Sequence, residues 1–194
     1  GLTSLLFATA CICIVDPFSV CHTGLQLSFL ATLGIFTIGE RAVRHFETAE
    51  HEEPKDILAP DFHIYDKNGN TVHLSDFFGK PIVLNFWASW CGPCQSEMPD
   101  FNEKYAGLGG DVHFVMVNMT DGGRETVETA SAFIEKNGYN FPVFFDTTGE
   151  AAATYGAYSL PTSFFINAEG HVIAQAVGAI DAATLQQGID MITN

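Results

Sequence analysis

The chain has 194 residues, of which 47% are hydrophobic, enough for one domain with a sizeable core and an additional segment. Its formal net charge of −15 argues against nucleic acid as a partner, because so acidic a chain would repel phosphates. The sequence begins with Gly1 rather than Met, so we expect a fragment or a processed chain.

Residues 1–40 form an apolar, membrane-like segment. No Asp, Glu, Lys or Arg occurs from Pro17 to Gly39, and such an uncharged run is long enough to cross a bilayer. A secretory signal would begin with basic residues, which are missing here. We therefore expect residues 1–40 to anchor the chain in a membrane. Arg41 and Arg44 follow at once, and basic residues beside a span favour the cytoplasmic side for what comes next.

Part of this segment also has a family likeness. Asp16-Pro17-Phe18-Ser19 and the run from Gly24 to Ile35 resemble a transmembrane stretch of ComEC-type DNA-uptake channels. The resemblance is confined to residues 16–35, and most of such a channel is absent. The segment is then either a fused remnant of that family or an ordinary membrane anchor, and neither alternative predicts DNA uptake by this chain.

A charged linker over residues 41–57 separates this segment from a domain predicted over residues 58–194. The linker is rich in Glu, a composition typical of a solvated helix or linker, and we assign it no chemistry. Four histidines, at positions 45, 51, 63 and 73, are irregularly spaced and no cysteine accompanies them. Their pattern predicts surface histidines rather than a metal site.

Strands and helices alternate through the domain. Strands over 62–65 and 71–74 flank Asn68-Gly69, a dipeptide typical of hairpin turns. The apolar run 81–88 predicts a buried strand, and residues 95–108 predict a helix. Further strands are predicted over 112–119, 141–145, 163–166 and 171–174, and further helices over 120–137, over 149–155 and after Asp181. This order predicts an α/β sandwich with a mixed sheet.

The motif Trp90-Cys91-Gly92-Pro93-Cys94 lies where the buried strand gives way to a helix. A cysteine at a helix N-terminus faces free backbone N–H groups and the positive end of the helix dipole, which favour thiolate over thiol. Cys94 lies one helical turn further on, close enough to form a disulfide with Cys91. The motif therefore predicts a dithiol–disulfide exchange centre.

A C-x-x-C pair can also be part of a zinc site or form a structural disulfide. A zinc site would need two more ligands, and the remaining cysteines, Cys11, Cys13 and Cys21, all lie in the apolar segment. A structural disulfide would close so short a loop that it constrains the unfolded chain little. We favour a redox-active disulfide between Cys91 and Cys94 that needs no metal and no other cofactor.

With these residues in place, the domain resembles the thioredoxin fold and, within it, the TlpA/ResA-like thiol–disulfide oxidoreductases. The matching pieces are Ala59-Pro60-Asp61-Phe62, the stretch Leu84 to Cys94, Glu97-Met98-Pro99 and Leu160-Pro161-Thr162. The resemblance covers residues 58–194. It implies a mixed central sheet flanked by helices, with a β-hairpin at its N-terminal end.

The resemblance also implies a role for each residue of the motif. Cys91 would attack a protein disulfide and form a mixed disulfide, which Cys94 would resolve. Pro161 matches the family's cis-proline, which packs opposite the cysteines and helps to dock a substrate backbone; an ordinary trans bond is the alternative. The residues expected to support substrate binding are Trp90, Gly92, Pro93, Leu160, Pro161 and Thr162.

One position departs from thioredoxin itself. Thioredoxin has a buried aspartate where this chain has Asn85, and an amide cannot exchange protons there. Glu97 lies three residues after Cys94 on the same helix face, where TlpA/ResA-like proteins place a carboxylate. We expect Glu97 to tune the cysteines and to relay the proton that Cys94 must lose, rather than to be a solvated helix residue.

The leading prediction is therefore a membrane-tethered enzyme that reduces protein disulfides outside the cytoplasm, on the opposite side of the membrane from the one that Arg41 and Arg44 favour. The resemblance implies a membrane electron donor of the CcdA type or a role in cytochrome c maturation. A thiol peroxidase is the alternative enzyme, although that chemistry wants Thr where this chain has Ala88. A redox-inert binding module on a membrane protein is the alternative from another class.

Overall fold

The computed structural model describes residues 57–193. The apolar segment predicted over 1–40 lies outside the described residues, as does the predicted linker apart from its last residue, Ile57. Within residues 57–193, no helix is both long enough and apolar enough to span a membrane.

In the part of the chain that the structure describes, seven strands form one mixed sheet, as predicted. In chain order they are β1 (His63–Tyr65), β2 (Thr71–His73), β3 (Ile82–Trp87), β4 (His113–Asn118), β5 (Val143–Phe145), β6 (Thr162–Ile166) and β7 (Val172–Val177). Their order across the sheet is β2-β1-β5-β4-β3-β6-β7. Strands β3, β4 and β5 are parallel, whereas β6 and β7 on one side and β1 and β2 on the other are antiparallel to their neighbours. The thioredoxin-like fold class is thereby confirmed.

Four α-helices of residues 57–193 accompany the sheet: α1 (Gly92–Leu108), α2 (Val127–Asn137), α3 (Glu150–Tyr155) and α4 (Ala182–Thr193). One short 3₁₀ helix, Leu74–Phe77, joins β2 to the stretch before β3. Apolar side chains of α1, α2 and α4 pack together in one core, and those of α3 and the N-terminal hairpin pack in a second.

Strand β3 is buried along its whole length because the two cores cover its two faces. Val83 and Trp87 belong to the first core, whereas Leu84 and Phe86 belong to the second. Side chains alternate along a strand, so Asn85 points to the same face as Val83 and Trp87, the face that carries α1. A polar side chain is thus placed directly beneath the helix that bears Cys94.

Helix α1 begins at Gly92, three residues before the predicted start. Cys91 is its N-cap residue, and its sulfur accepts a hydrogen bond from the N–H of Cys94. Pro93 lies in the first turn, where backbone N–H groups have no partner within the helix, so the N–H that proline lacks is not needed there. Both cysteines of the motif therefore belong to the first turn of the helix and its cap.

Helix α2 begins at Val127, so the prediction of a helix opening at residue 120 is wrong. Thr126 is the N-cap, and its hydroxyl accepts from the N–H of Thr129. Residues before it form a loop around Asp121, whose Oδ1 accepts from the N–H groups of Gly123 and Glu125. A carboxylate that bonds backbone amides two and four residues ahead stabilises a loop instead of a helix.

A substitution at Gly188 would test how closely α4 packs on the sheet. A Cβ atom at Gly188 would overlap the ring of Phe165 in β6, whereas one at Gly107, a glycine of α1, would meet nothing within 4 Å. We expect Gly188→Ala to lower the free energy of unfolding by about 1–3 kcal/mol through overpacking. Gly107→Ala, the matched control, should raise it by up to about 1 kcal/mol through helix propensity. Urea unfolding measures both, and equal effects of the two substitutions would contradict the close contact.

Candidate active site

The two cysteines form a disulfide at the carboxyl end of β3. Their sulfurs are 2.05 Å apart and their Cα atoms 5.2 Å apart. Cys91 is 4% exposed and lines a surface cleft, whereas Cys94 is 0% exposed. The N–H of Cys94 donates to the Cys91 sulfur over 3.2 Å. An approaching thiol or disulfide thus meets the sulfur of Cys91 before that of Cys94.

The Leu160–Pro161 peptide bond is cis, as the resemblance predicts. It precedes β6, which pairs with β3 so that Thr162 lies opposite Phe86. The Thr162 hydroxyl donates to the carbonyl of Ser159 over 2.6 Å. Leu160 lines the same cleft as Cys91, while Pro161 and Thr162 are buried behind it.

The cleft has a volume of about 830 Å³ and opens over the cysteine motif. It brings together five of the predicted site residues, namely Trp90, Cys91, Gly92, Pro93 and Leu160. It also contains residues that sequence reasoning missed, among them Met119, Thr120, Asp121, Arg124, Asp146 and Tyr158. Most of these follow the carboxyl ends of β4 and β5. Parallel strands end at one edge of a sheet, and that rule is the signal that could have found them.

The two tryptophans beside the motif occupy opposite environments. Trp87 is fully buried in the core beneath α1, and Trp90 is 42% exposed at the rim of the cleft. The guanidinium carbon of Arg124 lies 3.8 Å from the centre of the Trp90 ring, within cation–π distance. Trp87 is thus a core residue, and Trp90 is available to contact a molecule in the cleft.

Glu97 is a buried residue of α1, only 2% exposed. Its Oε1 accepts from Asn85 Nδ2 and its Oε2 accepts from the N–H of Ile180, each over 2.9 Å. Burial raises the pKa of Glu97 from its ordinary value near 4.5 to about 7. The two hydrogen bonds lower the pKa and the charge of Asp100 raises it, each by less than burial does. The carboxyl group therefore changes its protonation state near neutral pH.

Asn85 is the direct partner of Glu97. Its amide nitrogen also donates to Ser163 Oγ on the neighbouring strand over 3.0 Å. The sequence alone indicates only that an amide replaces an acid at Asn85, and the contact between this amide and Glu97 is not predictable from it. Since Asn85 lies on β3 and Glu97 on α1, this contact joins the strand before the motif to the helix after it.

Residues 57–193 contain no grouping of three or more His, Cys, Asp or Glu side chains arranged to hold a metal ion. The two histidines that the structure describes from the N-terminal set each face a carboxylate. His63 Nδ1 lies 2.8 Å from Glu150 Oε2, and His73 Nδ1 lies 3.5 Å from Asp61 Oδ2. The His63 side chain is partly exposed and that of His73 is about half exposed, as predicted for surface histidines.

The raised pKa of Glu97 predicts a pH-dependent stability. The folded chain holds this proton up to about pH 7, whereas the unfolded chain releases it near pH 4.5, so stability falls as the pH rises between these values. The loss amounts to about 3 kcal/mol. We expect Glu97→Gln, which cannot ionise, to lack this loss when the oxidised protein is unfolded by urea at pH 5 and pH 8. Equal pH dependence in native and variant protein would contradict the raised pKa.

Comparison with known proteins gives matches to two family models. The model of the AhpC/TSA family matches residues 57–175, which is more than half of the chain. A model described as Competence protein matches residues 1–73, in agreement with the resemblance of residues 16–35 to a ComEC-type protein.

Individual relatives agree with the first match. The thiol-disulfide oxidoreductase ResA of Bacillus thuringiensis is 37% identical over 138 residues, covering 70% of this chain and 76% of its own length. A Chlorobium tepidum protein assigned as thiol:disulfide interchange protein DsbE is 37% identical, with a TM-score of 0.62 over 70% of this chain and 94% of its own. The exposed lipoprotein thioredoxin Etrx1 of Streptococcus pneumoniae is 33% identical, with a TM-score of 0.57 over 68% of this chain and 98% of its own. The chain therefore belongs to the AhpC/TSA family and is one of the ResA-like thiol–disulfide oxidoreductases of the thioredoxin superfamily.

Proposed function

We propose that the domain reduces protein disulfides outside the cytoplasm through the dithiol form of Cys91 and Cys94. The observation that carries this proposal is the unequal placement of the two sulfurs, with Cys91 on the cleft and Cys94 buried behind it. A substrate disulfide can approach Cys91 from the cleft, and Cys94 is then next to the bond that forms.

The exchange proceeds in two displacements. The Cys91 thiolate attacks one sulfur of the substrate disulfide, which forms a mixed disulfide and releases the other substrate sulfur as a thiolate. The Cys94 thiolate then attacks the Cys91 sulfur and releases the second substrate thiolate. Two electrons pass to the substrate, the protons of the two cysteines balance the two substrate thiols, and Cys91–Cys94 is left oxidised.

The start of α1 stabilises the first nucleophile. Cys91 is the N-cap residue, so its sulfur lies at the positive end of the helix dipole and accepts from the N–H of Cys94. Both interactions favour the thiolate over the thiol. No metal or organic cofactor is needed, because the cysteine pair itself is the redox centre.

Glu97 is proposed to accept the proton of Cys94 before the second displacement. Both residues are buried and lie three positions apart on one face of α1, which leaves water little access to the Cys94 thiol. A carboxyl group with a pKa of about 7 is close to half ionised at neutral pH and suits general base catalysis. Asn85 and the backbone of Ile180 hold its two oxygens in place.

Substrate binding is proposed to use the residues on the cleft. Trp90, Gly92, Pro93 and Leu160 surround Cys91 there and would contact the polypeptide on either side of the substrate disulfide. Pro161 and Thr162 are buried and would act by holding the cis segment that presents Leu160.

The extracytoplasmic location and the partners are also proposals. Etrx1, one of the similar proteins, is described as an exposed lipoprotein, which supports a domain outside the cytoplasm. The apolar composition of residues 1–40 and the Competence model match support a membrane anchor. The resemblance to TlpA/ResA-like proteins supports a membrane electron donor of the CcdA type.

The central prediction concerns the two cysteines. Cys91→Ser should abolish insulin reduction, because it removes the attacking sulfur. Cys94→Ala should stall the reaction at the mixed disulfide, which non-reducing gels and mass spectrometry of the trapped adduct would detect. Failure of Cys94→Ala to trap any protein substrate would contradict the proposal. Faster consumption of peroxide than of insulin by the native protein would favour the peroxidase alternative.

The proton relay predicts a pH profile for Cys94. In native protein the rate of resolution should rise through about pH 7 as Glu97 ionises. We expect Glu97→Gln to shift that rise towards the ordinary thiol pKa of about 8.5 and to slow resolution at pH 7 about tenfold. A preformed mixed disulfide on Cys91 is mixed with buffer of each pH in a stopped-flow instrument, which measures the rate of resolution. The variant Glu135→Gln, which changes an exposed residue, is the control. An unchanged profile in Glu97→Gln would rule out the relay.

A further inference from the structure

Glu125 is a second buried carboxyl group beside the cysteine motif, and the proposed exchange reaction does not use it. It is 0% exposed. Its Oε1 accepts from the N–H of Ser89 over 2.8 Å and from Asn118 Nδ2 over 2.7 Å, and its Oε2 is bonded to the Ser89 hydroxyl over 2.6 Å. Burying a carboxyl group costs free energy unless its oxygens are bonded, and here both are.

Ser89 lies two residues before Cys91, and each of its polar groups is bonded. Its N–H and hydroxyl meet Glu125, while its carbonyl accepts from Gln95 Nε2 on α1 over 2.6 Å. The N–H of Cys91 donates to the carbonyl of Ala88 over 3.1 Å, which closes the turn around Ser89 and Trp90. The position of Ser89 therefore fixes how the chain enters Cys91.

The loop that carries Glu125 is itself anchored to the sheet. Asn118 ends β4, and its Oδ1 accepts from the hydroxyl of Thr120 over 2.8 Å. The neighbouring residue Arg124 stacks on Trp90. Arg124 thus contacts Trp90 and Glu125 contacts Ser89, the two residues that lie between Ala88 and Cys91.

We propose that Glu125 is a positioning residue for thiol exchange, which fixes Ser89 and thereby the direction in which the Cys91 sulfur faces the cleft. Attack on a disulfide requires the three sulfurs to align, and small displacements of a reacting atom can cost on the order of 100-fold in rate. This inference rests on the proposed function, since it concerns the approach of a protein disulfide to Cys91.

Two measurements separate positioning from general damage. The first is the rate constant for reduction of insulin by the fully reduced protein, which needs an aligned approach. The second is alkylation of Cys91 by iodoacetamide across pH 5–9 in a Cys94→Ala background, which reports how much thiolate is present and needs little alignment. Glu125→Ala should lower the first by about 10- to 100-fold and change the second by less than about threefold.

A conservative variant and a matched control complete the test. Glu125→Gln keeps an acceptor for Ser89 N–H and a group that can bond its hydroxyl, so it should restore insulin reduction to within about threefold of native. Glu135→Ala removes an exposed glutamate of α2 and should leave both rates as in native protein. Should Glu125→Ala fail to fold, Ser89→Ala carries the test, with insulin reduction expected to fall about threefold and alkylation expected to stay unchanged.

Several results would overturn the inference. One is a native rate of insulin reduction in Glu125→Ala, and another is an equal fall of alkylation and insulin reduction in that variant. A third is a Glu125→Gln variant that reduces insulin as slowly as Glu125→Ala. Where Ser89→Ala carries the test, a native rate of insulin reduction in Ser89→Ala has the same meaning. A shifted pH profile of alkylation in Glu125→Gln would assign the effect to charge instead of position. A native protein that fails to reduce insulin contradicts the proposed function, whereas a native rate retained by Glu125→Ala contradicts this inference alone.

Discussion

The burial of β3 on both faces is the constraint on which the rest of the domain depends. An apolar strand covered by two cores can present chemistry to a substrate only where it ends, and the chain leaves it at Trp87. Cys91 follows as the cap of α1, and the loops after β4 and β5 reach the same edge of the sheet. The active site therefore lies at the carboxyl ends of the strands, and the packed interior holds it in place.

Local patterns in the sequence predicted much of this arrangement. The apolar run of β3, the cysteine spacing and the turn residues each act over a few neighbours, so the strand, the helix and the hairpin could be predicted with errors of a few residues at their ends. The predicted start of α2 was wrong because the Asp121 carboxylate binds backbone amides that a helix would use. The cis bond before Pro161 was predicted from family resemblance and not from local pattern.

Contacts between distant residues could not be predicted in this way. Glu97 was singled out, but its partner Asn85 lies on another element, and the hydrogen bond depends on how α1 packs across β3. Glu125 and Ser89 are 36 residues apart and meet only because β3 and β4 are adjacent and parallel. The cleft residues after β4 and β5 also come together through the order of the strands in the sheet. No pattern within either loop indicates that the loop faces the cysteines.

The hydrogen bond from Ile180 to Glu97 has a consequence for how the chain can vary. The donor is a backbone N–H in the turn between β7 and α4, so it does not depend on which side chain stands at position 180. Any residue except proline, which has no N–H, can make this hydrogen bond, although the Ile180 side chain also packs against the first core. The environment of the buried acid is thus protected by main-chain geometry, and an alignment of side chains would understate how strictly that turn is maintained.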